Sequence, residues 1–381
     1  MSLGAGVPTA GAFVEPAYRQ RSLGDVLPAV GAALGRPIGD PPSGLELPAA
    51  GSYVVFLVDG LGANLLRRYA HAAPYLASLL DYHETGTAGV PSTTATSLTS
   101  LGTGLVPGAH GVVGFTSRVP ATGRLLNALQ WDRDVDPLQW QPHPTAFARL
   151  REQGVTATVV NKREFARSGL TVAAHRGAEF VGADKVGERI AAAVLATRER
   201  PSLTYLYDGD LDWTGHRYGV ASRHWLQQLS MVDAEAEQLR EALPTSTRLM
   251  VVADHGMVDS PLERRVDVDE HHELRDGLAL LGGEARFRHL YCRRGAADDV
   301  AVAWRSFLGD RAEVLTRDEV VARGWFGPVG GDVLSRLGDV VVACRDDTAV
   351  VSTTDFPYEA RLVGLHGSLS PDEMLIPLLL S

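Results

Sequence analysis

The chain has 381 residues, a formal net charge of −10, 45% hydrophobic residues and 22% charged residues. Those proportions exclude disorder, a collagen-like fibre and a disulfide scaffold, and the length suffices for one large domain with a buried core. The acidity argues against a nucleic-acid polymer or an anionic membrane as a nonspecific partner.

In chain order, residues 1–50 are rich in Gly, Ala and Pro, with a short helix predicted in 21–35. The first 20 residues lack a basic stretch followed by an apolar one, and no run is long enough to cross a bilayer. A cytoplasmic chain with no membrane partner is therefore expected. Residues 53–60, YVVFLVDG, read as a buried parallel strand, and 63–80 as helical. Residues 94–104, TATSLTSLGTG, open a helix whose small hydroxyls can cap its free N–H groups. The pattern repeats: strand 156–161, helix 186–200, strand 202–210, helix 221–243 and strand 248–256. Such alternation predicts an α/β fold around a mainly parallel sheet. Segment 261–345 is more charged and carries short strands of its own (FRHLYC, AEVLT, DVVVAC). It is expected to form an inserted subdomain or cap within a single domain spanning 1–381. The two cysteines, Cys292 and Cys344, lie in or beside apolar runs and read as small hydrophobes.

Three acids follow apolar runs: Asp59, Asp212 just past LTYLY, and Asp254. Ligands of open α/β sheets bind beyond the carboxyl ends of the strands. Three carboxylates gathered there repel one another unless a cation lies between them. His255 directly follows Asp254, and His216 stands one helical turn after Asp212. His366 sits in GLHGS. Three Asp and three His suffice for two sites of three protein ligands, a donor set that suits zinc. Two such ions can clamp the oxygens of an in-line phosphoryl displacement. A nucleophile is available in the hydroxyl-rich run 90–104, where spacing alone does not choose among Thr93, Thr94 and Thr96.

Each feature also has a plainer explanation. A single Asp after a strand is usually a turn or capping residue. His71, His83, His143, His175 and His224 read as structural, and the His271–His272 pair as part of a solvated charged loop. The conjunction D…D-x-x-x-H…D-H-G…H-G, with its acids behind apolar runs, outweighs these.

Five segments resemble the alkaline phosphatase superfamily, and within it the type I phosphodiesterase/nucleotide pyrophosphatase family. They are VVFLVDGLG (54–62), PSTTATSLTSLGTGLVPGAHGVVG (91–114), DLDWTGHRYG (210–219), VVADHGM (251–257) and GLHGS (364–368). The resemblance implies a mixed, mostly parallel central sheet flanked by helices, with two divalent metals, usually zinc, at the strand ends. One metal would take Asp59, Asp254 and His255, and the other Asp212, His216 and His366. The family's nucleophile lies ten residues before the Gly of T-G-L-x-P-x-x-H-G, here Gly104, which implies Thr94 as a bridging nucleophile and Thr93 if the register slips by one. Phe115 stands where the diesterase branch commonly has an Asn that holds a phosphate oxygen, so Thr116 or a backbone N–H would have to substitute. The C/S-x-P-x-R motif of the sulfatases is absent around 90–96.

The expected function is a two-metal hydrolase of a small phosphoester, a nucleotide among the options, working through a phospho-threonine. A phosphomonoesterase or phosphonate hydrolase on the same site is the second reading, with Lys162 and Arg163 available for the extra charge. An inactive metal-binding protein is the third. Segments 115–150 and 261–345 are expected to form the leaving-group pocket, with Trp131, Trp140, Trp213 and Tyr218 available for stacking. Two bound divalent ions would bring the net charge from −10 to about −6 and make the site locally positive.

Overall fold

The computed structural model describes residues 12–80 and 85–381, so the expectation for His83 lies outside the described residues. Ser52–Val58 is buried at all seven positions, which its unbroken apolar sequence requires of a strand covered on both faces. It is central to a seven-stranded sheet with the order Thr85–Thr87, Leu375–Leu380, Thr247–Val252, Ser52–Val58, Ser202–Asp208, Thr156–Asn161, Glu179–Gly182. The pairs from Thr247–Val252 to Glu179–Gly182 are parallel. Leu375–Leu380 runs antiparallel to both of its neighbours. The sheet is thus mixed and mostly parallel, with helices covering its faces.

Local chemistry sets several helix boundaries. The helical stretch expected over 63–80 is interrupted: Ala63–Arg68 ends at Tyr69, and Pro74 starts a second short helix, Pro74–Ser78. Proline lacks the N–H that an unbroken helix needs there and fits a first turn instead. The helix Thr94–Thr103 begins after the extended Thr93 and stops at Gly104, whose φ of 67° few other residues adopt. Among the described residues no helix is long and apolar enough to cross a membrane.

Part of the segment 261–345 forms a four-stranded antiparallel sheet ordered Leu278–Glu284, Phe287–Cys292, Val340–Cys344, Ala312–Thr316. Trp304 of the helix Ala297–Leu308 is fully buried in a separate small core with Val266, Leu290 and Val342. The tight turn at Ala285–Arg286 brings this sheet against the main body. Arg286 is fully buried and forms a two-pronged pair with Glu373, at 2.9 and 2.7 Å. Cys344 is buried and Cys292 half-buried, both as free thiols.

Candidate active site

The carboxyl ends of the central strands gather Asp59, Asp254 and His255. Asp59 directly follows Ser52–Val58, and its N–H bonds Asp208 O at 2.9 Å. The chain then turns at Gly60, where φ is 75° and a β-carbon would lie 3.0 Å from Asp212 Cβ, so glycine both permits the turn and lets Asp212 approach. Asp254 Oδ1 accepts the Gly60 and His255 N–H groups at 3.1 and 3.0 Å. Its Oδ2 lies 3.4 Å from His255 Nε2, which is also 3.4 Å from Asp59 Oδ1.

Asp212 arrives by a different route from the one expected. The strand Ser202–Asp208 ends in Asp208, and Asp212 sits on the next helix, Asp210–Tyr218. Its Oδ2 is 3.3 Å from His216 Nε2, one turn along. His366 completes the group, with Nε2 3.3 Å from His216 Nε2 and 3.8 Å from Asp212 Oδ1. The His255 and His366 rings stack at 3.7 Å.

The helix start separates the three threonines. Thr94 Oγ1 is 3.2 Å from His255 Nε2 and 3.4 Å from Asp59 Oδ2. The Thr93 hydroxyl bonds the Glu284 carboxyl instead, and Thr96 Oγ1 is buried without a partner. All seven residues singled out in the sequence therefore meet in one cluster, with Thr94 as the hydroxyl in contact.

The donor atoms fit a cation. His216, His255 and His366 each direct Nδ1 at a backbone carbonyl, of Gly364, Gly256 and Ser92, at 2.7, 3.0 and 2.9 Å. Holding the proton on Nδ1 leaves each Nε2 a lone pair aimed into the site, the usual arrangement of metal-bound imidazoles. Asp59 Oδ1, Asp212 Oδ1 and Asp254 Oδ2 are buried with no hydrogen-bond partner among the described residues. Two groups have donors within 4.8 Å of one another: Asp212, His216 and His366, and Asp59, Asp212 and His255. Asp212 thus stands between the two groups, whereas the resemblance allots Asp254 to the Asp59–His255 group, which it adjoins through Oδ2.

Electrostatic frustration accompanies this geometry. Burial pushes the Asp59 carboxyl well above the usual range, and the charges of Asp254 and Asp212 push it further. Burial also raises Asp254. His366 is held well below its ordinary value, first by burial and then by its two imidazole neighbours.

Several participants carry no motif. Tyr207 donates its hydroxyl to Asp59 Oδ2; alternation along TYLYD places it two residues after Tyr205 on one face. Glu284, at the end of Leu278–Glu284, is buried, which pushes its carboxyl up to about 8 despite hydrogen bonds from the Thr93 hydroxyl and the Phe115 N–H. Of the expected substitutes for the missing Asn, Thr116 is engaged elsewhere, since it donates its hydroxyl to Gly283 O at 2.8 Å.

A cavity of about 690 Å³ opens on Asp59, Thr94 and Asp212. Its remaining wall comes mainly from 161–175 and 207–214; Leu129 is its one residue from 115–150, and none comes from 261–345. Trp213 lines it at 52% exposure, whereas Trp131 and Trp140 are buried and Tyr218 stacks on His224 at 4.0 Å. His175, expected to be structural, also borders the cavity. Among the described residues the His271–His272 tract joins no metal-type group.

A mixed α/β sheet whose strand ends gather paired carboxylate–imidazole groups beside a helix-start hydroxyl belongs to the class of folds that build a site able to hold a cation. The chain belongs to the type I phosphodiesterase/nucleotide pyrophosphatase family, whose profile matches residues 53–369. It is 22% identical over 262 residues to human ectonucleotide pyrophosphatase/phosphodiesterase family member 1, covering 65% of this chain and 28% of that protein. It is 24% identical over 259 residues to a venom phosphodiesterase of Macrovipera lebetinus, covering 65% and 30%. The chain thus spans under a third of the length of these relatives. The fold is that of murine ectonucleotide pyrophosphatase/phosphodiesterase 5, with a TM-score of 0.68 at 17% identity over 86% of this chain and 87% of that one; that structure is an inactive threonine-to-alanine form in complex with AMP. The human counterpart gives a TM-score of 0.66.

Proposed function

We propose that the chain hydrolyses small phosphodiesters, nucleotide esters or pyrophosphates among them, through Thr94 and two divalent cations. The observation that carries this reading is the Thr94 hydroxyl within 3.4 Å of both Asp59 and His255, beside Asp59 Oδ1, Asp212 Oδ1 and Asp254 Oδ2, which have no hydrogen-bond partner among the described residues. Asp59, Asp254 and His255 would hold one cation and Asp212, His216 and His366 the other; oxygen with imidazole nitrogen favours zinc. When bound, the cations supply positive charge that eases ionisation of a hydroxyl and offsets the charge of the transferring phosphoryl group. Thr94 Oγ1 attacks phosphorus, the ester oxygen leaves, and water hydrolyses the phospho-threonine.

Diesters are favoured over monoesters because cationic help is committed elsewhere. Lys162, the sole Lys or Arg lining the cavity among the described residues, is 2.8 Å from Asp210. Arg163 pairs with Asp184 and with Glu188 on the exposed side. A monoester's second charge therefore finds no uncommitted partner in that wall. The AMP bound to the murine neighbour supports a nucleotide as the esterified group.

Thr94→Ala is expected to abolish hydrolysis of an aryl phosphodiester and to retain most of the bound metal by elemental analysis. Retained turnover would refute Thr94 as nucleophile. Wild-type protein should prefer the aryl diester to its monoester, and the reverse preference would favour the phosphomonoesterase reading.

A further inference from the structure

His175 ends the helix Gly169–His175 and is 4% exposed, yet among the described residues neither ring nitrogen has a hydrogen-bond partner. Its neighbours are aromatic: Tyr205 at 5.0 Å and Phe147 at 5.7 Å between ring centroids. Burying an imidazole with both nitrogens unbonded costs stability, and a phenyl ring would fill such a place without that cost. The described residues supply no partner, so the cavity that His175 borders is where one would come from.

The remaining wall limits what that partner is. Leu98, Phe165 and Leu170 give apolar faces, and Trp213 forms a half-exposed aromatic edge. Asn161, also 4% exposed, adds a neutral amide. With Lys162 tied to Asp210, this wall suits an uncharged flat ring better than a second phosphate. Burial pushes the His175 imidazole down to about 4, so it is neutral at physiological pH, with one donor and one acceptor nitrogen.

Resting on the diesterase reading above, we infer that His175 is a specificity-determining residue that hydrogen-bonds the polar edge of a nucleobase held in this cavity. Both nitrogens are covered in the free chain, so a turn of the ring about Cβ–Cγ is part of the binding step.

The test measures equilibrium binding and so does not depend on turnover. Metal-loaded Thr94→Ala protein is titrated calorimetrically with AMP and with ribose 5-phosphate, which lacks the base. Adding His175→Phe should weaken AMP by about tenfold, the worth of a good hydrogen bond, and leave ribose 5-phosphate within about twofold. His175→Gln, which keeps a donor and an acceptor, should recover much of the loss. No AMP binding, an unchanged AMP affinity, or equal losses for both ligands would overturn the inference. If His175→Phe fails to fold, His175→Leu answers the same question. A chain that binds AMP in this His175-dependent way but hydrolyses no diester would leave this inference standing and refute the catalytic reading, and active protein indifferent to His175 would do the opposite.

Discussion

Three imidazoles that each give Nδ1 to a main-chain carbonyl have had their tautomer chosen before any ligand arrives. Asp254 is prepared in a comparable way: Oδ1 is held by two N–H groups, which leaves Oδ2 for the site. Asp254→Asn can keep the Oδ1 bonds while replacing Oδ2 by an NH₂ that cannot bind a cation. It also removes one of the charges that raise Asp59. The expected outcome is opposite signs: metal-free protein melts higher than wild type, while metal affinity falls by more than the about 10–100-fold that outer-shell changes cost. Unchanged affinity in a metal titration would remove Asp254 from the ligand set. Spacing in D-x-x-x-H and D-H-G made these residues legible in the sequence, because one helical turn and one strand end fix the neighbours. It could not separate Thr93 from Thr94. Adjacent hydroxyls at a helix start differ only in what packs opposite them, here Glu284 for one and Asp59 with His255 for the other.

At the scale of elements, the helix Asp210–Tyr218 presents two of the proposed ligands, and a buried ion cluster fixes its start. Arg189, 3% exposed, bonds Glu235 Oε1 at 2.8 Å and Asp208 Oδ2 at 2.7 Å. The other Asp208 oxygen accepts the Asp210 N–H at 3.0 Å, on the first residue of that helix. Removing the guanidinium strands two buried carboxylates, a change that costs about 3–5 kcal/mol. Arg189→Met should therefore lower the melting temperature and also weaken cation binding, because the helix start loses its anchor. The paired change Arg189→Met with Glu235→Gln, which leaves one carboxylate stranded instead of two, should recover part of the stability and little of the cation affinity. Full recovery of both would show the cluster to be a stability feature alone. This cluster could not be read from sequence, since Arg189, Asp208 and Glu235 come from separate elements and nothing in their spacing announces the contact. The parallel strands were legible because strands covered on both faces must be continuously apolar. Leu375–Leu380 was missed although it too is apolar: Pro377 interrupts its strand pattern, and its role depends on distant partners at Thr85–Thr87 and Thr247–Val252. The cavity wall is illegible in the sequence for the same reason, since the residues over 161–175 reach Thr94 through the strand order and through packing of the helix Gly169–His175 against Thr94–Thr103.

For the molecule as a whole, the acidity read first from composition becomes a statement about stability. Asp59 is held well above its ordinary pKa and Glu284 is raised to about 8, so the metal-free native chain keeps protons that the unfolded chain has released. A native state that binds more protons than the unfolded one loses stability as pH rises. Up to about pH 7.5 an opposite contribution also acts. His110, His175, His289 and His366 are buried with lowered pKa values, so the unfolded chain takes up protons there and stability rises with pH. Above that point the imidazoles are neutral in both states, and only the raised groups still titrate. Metal-free protein should therefore lose stability from about pH 7.5 to about pH 9. Cation binding requires deprotonated carboxylates and strengthens over the same range. At free metal one hundred times the dissociation constant, each site adds about 2.7 kcal/mol. Melting curves of zinc-loaded and chelator-stripped protein should accordingly diverge from about pH 7.5 to about pH 9, with the loaded form above. A separation that stays constant or narrows across that range would mean that cation binding does not depend on Asp59 losing its proton.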